Sequence, residues 1–112
     1  MTYNKFRAKK TTVDGITFDS KKEANRYCEL KLLLKANEIK DLELQPKFVL
    51  QDKFKKNGKT HRAISYVADF RYIDCTTGET VVEDVKGMET KVFKIKKKLF
   101  EYKYSNLTLK IV

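Results

Sequence analysis

The stretch Ile64-Ser65-Tyr66-Val67-Ala68-Asp69-Phe70-Arg71-Tyr72-Ile73 is followed, after the short Asp74-Cys75-Thr76-Thr77-Gly78-Glu79, by Thr80-Val81-Val82-Glu83-Asp84-Val85-Lys86-Gly87. Both outer segments are apolar, β-branched and aromatic, the composition of strands. The segment between them is a turn, so the two strands are expected to lie antiparallel and side by side. Each carries a charge where a buried strand does not want one. Asp84 and Lys86 share a face, roughly 7 Å apart along the strand, because side chains alternate. Asp69 is brought toward them by the turn. Two carboxylates and an ammonium at the edge of a sheet can hold a divalent metal and a water.

Outward from this pair the chain continues to alternate strands with helices. Thr12-Val13-Asp14-Gly15-Ile16-Thr17 predicts a tight Asp-Gly hairpin. Ser20 with Glu23 three residues on is a capping box that opens a helix to about Ala36 or Asn37. Glu23, Tyr27, Leu30 and Leu34 form one stripe of that helix, widened by Cys28 and Leu33. Ile39 to Leu44 leads to Gln45-Pro46, which breaks regular structure. Lys47 to Phe54 predicts a strand, Asn57-Gly58 a turn, and the strand Ile64 to Ile73 returns antiparallel, with Thr80 to Lys86 beside it. Gly87 ends that third strand. Thr90 to about Tyr104 predicts a second helix, with Val92, Ile95, Leu99 and Tyr102 as its core stripe and Phe93 and Phe100 beside it. Leu107 to Val112 is a last strand, parallel to the third because a helix precedes it. The expected fold class is therefore α/β, and the length of 112 residues suits one domain over 1–112.

The net charge is +10, and it is unevenly distributed. Residues 1–12 hold four basic side chains and no acids, and residues 53–62 hold five basic and no acids. Residues 63–85 hold one basic and five acidic, whereas residues 86–112 hold eight basic and two acidic. Basic flanks suit a polyanion, and an acidic centre calls for a cation; nucleic acid plus Mg²⁺ satisfies both. A merely lysine-rich surface is the bland alternative. No apolar run is long enough to cross a membrane and no signal peptide is expected. Cys28 and Cys75 are not spaced as a metal or redox pair, so two buried or idle thiols in a reducing cytoplasm are expected, with a disulfide as the alternative.

The matching residues Ser20-Lys21-Lys22-Glu23-Ala24, Leu44-Gln45-Pro46-Lys47-Phe48, Tyr66-Val67-Ala68-Asp69-Phe70 and Glu83-Asp84-Val85-Lys86-Gly87 occur in the order and on the element types of a known family. In these features the chain resembles the PD-(D/E)XK nuclease superfamily, and more closely a family of small phage-encoded proteins within it. The resemblance implies a restriction-endonuclease-like core. That core would be a mixed four-stranded sheet flanked by two helices, with residues 1–19 as a basic N-terminal arm and hairpin. It implies metal-dependent hydrolysis of DNA phosphodiester bonds. Asp69, Asp84 and the backbone carbonyl of Val85 would ligate Mg²⁺ or Mn²⁺. Lys86 would orient the attacking water, and Glu23 would complete the site from the helix. Ala68 stands where the superfamily has proline, and Asp84 where glutamate is usual.

By analogy the substrate would be branched, nicked or duplex DNA, and a chain too small to enclose a duplex would act as a homodimer. No organic cofactor and no membrane are implied, and the setting would be the host cell cytoplasm. Lys9, Lys10, Lys55, Lys56, Lys59, Arg62, Lys91, Lys94 and Lys98 are the expected phosphate contacts. Gln45 and Gln51 could reach the site, as the resemblance implies, with a plain surface role as the expectation; His61 is expected in a basic loop facing phosphate or solvent, and Tyr3, Phe6 and Tyr104 in packing roles. A non-catalytic nucleic-acid-binding module with the same fold is the alternative, and a structural phage protein a third. Two acids beside a phosphate argue against both.

Overall fold

The computed structural model describes residues 9–112. Of the basic segment 1–12, residues 1–8, with Tyr3 and Phe6, lie outside the described residues. The described elements are β1 (Thr11–Val13), β2 (Ile16–Phe18), α1 (Lys21–Lys35), β3 (Ile39–Leu44), β4 (Lys47–Gln51) and β5 (Phe54–Lys56). They continue with β6 (Lys59–His61), β7 (Ile64–Val67), β8 (Phe70–Asp74), β9 (Thr80–Asp84), α2 (Lys91–Lys103) and β10 (Thr108–Ile111). The architecture is mixed α/β, centred on a four-stranded mixed sheet of order β10-β9-β8-β3. β9 runs parallel to β10 and antiparallel to β8, and β8 runs antiparallel to β3.

Local chemistry explains each boundary. Asp14 and Gly15 both adopt positive φ (53° and 75°), as does Asn57 with Gly58 (53° and 74°), so both hairpins turn with the handedness that suits strand twist. The Ser20 side chain accepts from the Glu23 backbone N–H at 3.0 Å and starts α1. Asn37, at φ 61°, ends it in the left-handed conformation, with Glu38 N–H donating to the Leu33 carbonyl. Thr90 caps α2 in the same manner as Ser20, accepting from Phe93 N–H at 3.1 Å.

Two apolar clusters flank the four-stranded sheet. Phe18, Ala24, Tyr27, Leu30, Ile39, Phe70, Tyr72 and Val81 pack together on the α1 side. Phe48, Tyr66, Ala68, Val82, Phe93 and Phe100 pack together on the α2 side. Val81 and Val82 thus serve opposite faces, as the period of a strand dictates.

Four expectations need correction. Ile39–Leu44 is a strand, and it forms the edge of the main sheet in place of the strand at Lys47. The segment Ile64–Ile73 is two strands rather than one, since β7 leaves the main sheet to pair with β4 and only β8 pairs with β9. The inward face of α2 is Phe93 and Phe100, while Val92, Ile95, Leu99 and Tyr102 are 62, 61, 40 and 88 % exposed. Two aromatic rings seven residues apart bury more area than the aliphatic stripe, and they decide the helix's rotation. Cys28 is exposed rather than part of the apolar face of α1; it and Cys75 are free thiols. No helix among the described residues is long and apolar enough to cross a membrane.

Candidate functional site

The break between β7 and β8 creates the site. Ala68 N–H donates to the Pro46 carbonyl, while Asp69 N–H donates to the Glu83 carbonyl and Asp69 C=O accepts from Gln45 N–H. Asp69 is therefore held by backbone on both sides at the point where the chain passes from one sheet to the other. Its Oδ2 accepts from the Val85 N–H at 2.6 Å, which ties it to the residue after Asp84. The carboxyl groups of Asp69 and Asp84 lie within hydrogen-bonding reach of each other, as do those of Asp69 and Glu23. Three elements (α1, the β7–β8 corner and β9) thus deliver one acid each.

Asp84 is 2 % exposed and accepts a hydrogen bond from the Tyr66 hydroxyl. Burial raises its pKa, and so does the neighbouring Asp69 carboxyl group. Tyr66 and Lys86 only partly offset this, leaving Asp84 at about 7. Burial also raises Asp69, with Glu23 adding to it, and burial is the main cause of the rise at Glu23. Burial and the Asp84 carboxylate push the Tyr66 hydroxyl up, so Tyr66 stays a donor. Lys86 Nζ stands 3.7 Å from Asp84 Oδ2 and 4.5 Å from the centre of the Phe93 ring, a cation over an aromatic face. The end of β10 holds the Lys86 backbone: Lys86 N–H donates to Val112 C=O, and Val112 N–H donates to Asp84 C=O. The Lys22 ammonium donates to the Lys86 carbonyl at 3.2 Å.

One cleft reaches two of the acids, Glu23 and Asp69, and a second lies beside Lys86. The first, of about 230 Å³, is lined by Ile16, Phe18, Glu23, Leu44, Gln45 and Asp69. The other, of about 390 Å³, is lined by Lys86, Gly87, Met88, Glu89 and Lys94. Gln45, expected at the surface, is exposed but lines the first cleft beside Glu23 and Asp69, and its φ of 51° sets that position. Gln51 ends β4 and is exposed.

Glu83 faces away from Asp84, as strand alternation requires. It is fully buried, and Arg26 holds it with Nε–Oε1 at 2.7 Å and Nη2–Oε2 at 2.6 Å. Tyr72 donates its hydroxyl to the same carboxylate. Burial alone would raise Glu83, but the Arg26 fork and the Tyr72 hydroxyl outweigh it and hold the pKa below the usual range. Arg26, Tyr66 and Tyr72 are partners that the sequence did not single out. The signal present in the sequence was the pair of adjacent acids in a strand, each of which needs a donor once buried.

Asp69 and Asp84 are the residues that could hold a hard divalent cation. Mg²⁺ typically takes one or two carboxylates and completes its shell with water or substrate oxygens, and Asp69 and Asp84 supply that number. Burial is the main cause of their raised pKa values, and the neighbouring carboxyl groups add to it at Asp84 through Asp69 and at Asp69 through Glu23. Among the described residues no group of three or more His, Cys, Asp or Glu side chains is placed to hold a metal ion.

The expected phosphate contacts fall into groups. Lys94 lines the cleft beside Lys86, and Lys91 and Lys98 are exposed on α2. Lys55, Lys56, Lys59 and Arg62 are exposed on or just after the β5–β6 hairpin. Lys9 and Lys10 are exposed ahead of β1. His61 ends β6, half-buried, with its ring stacked on Phe54. Tyr104 packs on Phe48 and Phe100 and donates to the Val49 carbonyl at 2.9 Å.

No curated protein and no solved structure matches the chain. A family model matches residues 3–112, so the chain belongs to the family described as "Protein of unknown function (DUF1064)".

Proposed function

We propose that this chain is a metal-dependent DNA endonuclease with a restriction-endonuclease-like core of the PD-(D/E)XK type. The observation that carries the reading is the meeting of Asp69 and Asp84 where β7 parts from β8, with the Lys86 ammonium 3.7 Å from Asp84. Asp69, Asp84 and the Val85 carbonyl would hold Mg²⁺ or Mn²⁺, with Glu23 adding charge from α1. A divalent cation there would polarise a phosphoryl oxygen and lower the pKa of a bound water. Tyr66 fixes the rotamer of Asp84, and the Val85 N–H fixes that of Asp69. Lys86 would orient the attacking water and offset charge as it builds on the phosphate. Lys94, which lines the same cleft as Lys86, would hold a neighbouring phosphate.

Incubation with linear, nicked, flapped and four-way DNA, in Mg²⁺, Mn²⁺ or EDTA, tests the reading. Cleavage that needs the metal and disappears in Asp84→Asn, with DNA binding retained or tightened, is expected. Absence of cleavage of every substrate with every ion would sink the enzyme reading. A wild-type rate in Asp84→Asn would sink the site assignment.

A further inference from the structure

Among the described residues the β5–β6 hairpin belongs to no larger sheet, and every residue from Phe54 to Thr60 is exposed. A lone two-stranded hairpin is marginal in water. Here the Asn57-Gly58 turn closes one end. At the other end Phe54 and His61 pair across the strands, their rings 4.6 Å apart and 13° from parallel. Phe54 remains 42 % exposed, so one side of this aromatic stack faces solvent. From Lys53 to Ala68 there is no acidic residue, while Lys53, Lys55, Lys56, Lys59 and Arg62 are basic.

Cations alone would suit any phosphate backbone, and an apolar ring alone would suit any apolar surface. The two together on one exposed arm suit a ligand that offers phosphates and a flat, unpaired base. An intact duplex does not offer base faces, because they are stacked on one another. We infer that the β5–β6 arm stacks Phe54 on an unpaired base at a DNA branch or flap while its lysines hold the flanking phosphates. The arm thereby selects branched over linear DNA. This rests on the nucleic-acid reading above for its consequence in cleavage, and on the arm itself for binding.

The test uses flapped and four-way DNA with 2-aminopurine at the first unpaired or branch-point position, and a linear duplex, all in EDTA so that no strand is cut. Wild-type protein should quench the 2-aminopurine. Phe54→Leu keeps an apolar cross-strand partner for His61 but removes the ring. It should lose the quenching and bind flapped DNA about tenfold or more weakly, with linear duplex binding unchanged. Phe54→Trp should retain quenching and preference. Circular dichroism and melting show that each variant is folded, as the exposure of position 54 leads one to expect. A folded Phe54→Leu protein that still quenches and keeps the wild-type ratio of flapped to linear affinity would overturn the inference. Loss of quenching in Phe54→Leu, in a protein that cuts nothing with any metal, would support the arm and reject the nuclease reading.

Discussion

Arg26 and Glu83, 57 positions apart, form a two-point ion pair between α1 and β9 on the side of the sheet away from Asp84. The pair fixes the strand that carries Asp84 against the helix that carries Glu23, so the two acids approach from a braced frame. Removing one partner of a buried pair leaves a bare charge in the core. Arg26→Ala should therefore lower stability by about 3–5 kcal/mol, read from urea unfolding. Arg26→Met with Glu83→Leu should recover most of that loss, since it leaves no orphan charge. A single variant as stable as wild type would show that Glu83 is satisfied without Arg26.

The pH dependence of the metal-free protein should run against the usual direction. Asp84 has a pKa of about 7 in the fold against 3.8 for an ordinary aspartate. A raised carboxyl gives its full stability only below the lower value and loses it as pH climbs toward the higher one. Asp69 and Glu23 are raised as well and contribute with the same sign. Glu83 is lowered, so its effect falls in more acidic solution and does not mask the trend. In EDTA the melting temperature should fall between about pH 5 and 7.5, and Asp84→Asn should flatten much of that slope. Mg²⁺ should raise the melting temperature at pH 7.5 in the wild type but far less in Asp84→Asn. A wild-type curve that is flat or rises over this range would contradict the crowding of these acids.

What was legible in the sequence follows from the range of the forces involved. Caps and turns are local, so Ser20, Asp14-Gly15 and Asn57-Gly58 announced themselves. The β8–β9 pairing was legible because one short turn joins the strands. The break at Ala68-Asp69 was not, because residues on both sides have the same strand propensity and only their distant partners, β4 and β3, differ. β3 was hidden by its polar exposed face and by Asp41, whose φ of 55° lies within the register shift of that edge strand. The acids of the site could be named from their cost in a strand. Tyr66, Tyr72 and Arg26 could not, because a donor is identified only by where the fold brings it.

The rotation of α2 separates two kinds of apolar residue. Phe100 is fully buried against Phe48, Tyr66 and Tyr104, so Phe100→Ala should cost about 3–5 kcal/mol. Ile95 is 61 % exposed, and Ile95→Asp should cost less than about 1 kcal/mol in the isolated chain. Equal losses, measured by chemical denaturation, would mean that the aliphatic stripe is covered in solution.

The lysines of the arm make a separate electrostatic prediction. DNA affinity should fall steeply with salt. Replacing Lys55, Lys56 and Lys59 together should reduce the log–log slope by about 0.9 for each phosphate that is no longer neutralised. Titrations of linear duplex across a salt series measure this directly. An affinity that does not change with salt would mean that these lysines do not hold phosphate.

Glu23 has two roles that substitution can separate. As the third residue of α1 it contributes its backbone N–H to the Ser20 cap, a bond that any residue at this position keeps. Its side chain, 8 % exposed, points instead to Asp69 and lines the cleft with Gln45. A carboxylate buried beside two others is destabilising in the absence of a cation. Glu23→Gln should therefore leave the melting temperature in EDTA unchanged or raise it. The gain from added Mg²⁺ should shrink, because less negative charge faces the ion. If the site is catalytic, the rate of cleavage should fall by a factor of ~10² or more, the scale of a missing electrostatic contribution. A folded Glu23→Gln protein with wild-type cleavage and a wild-type response to Mg²⁺ would confine this residue to the start of the helix.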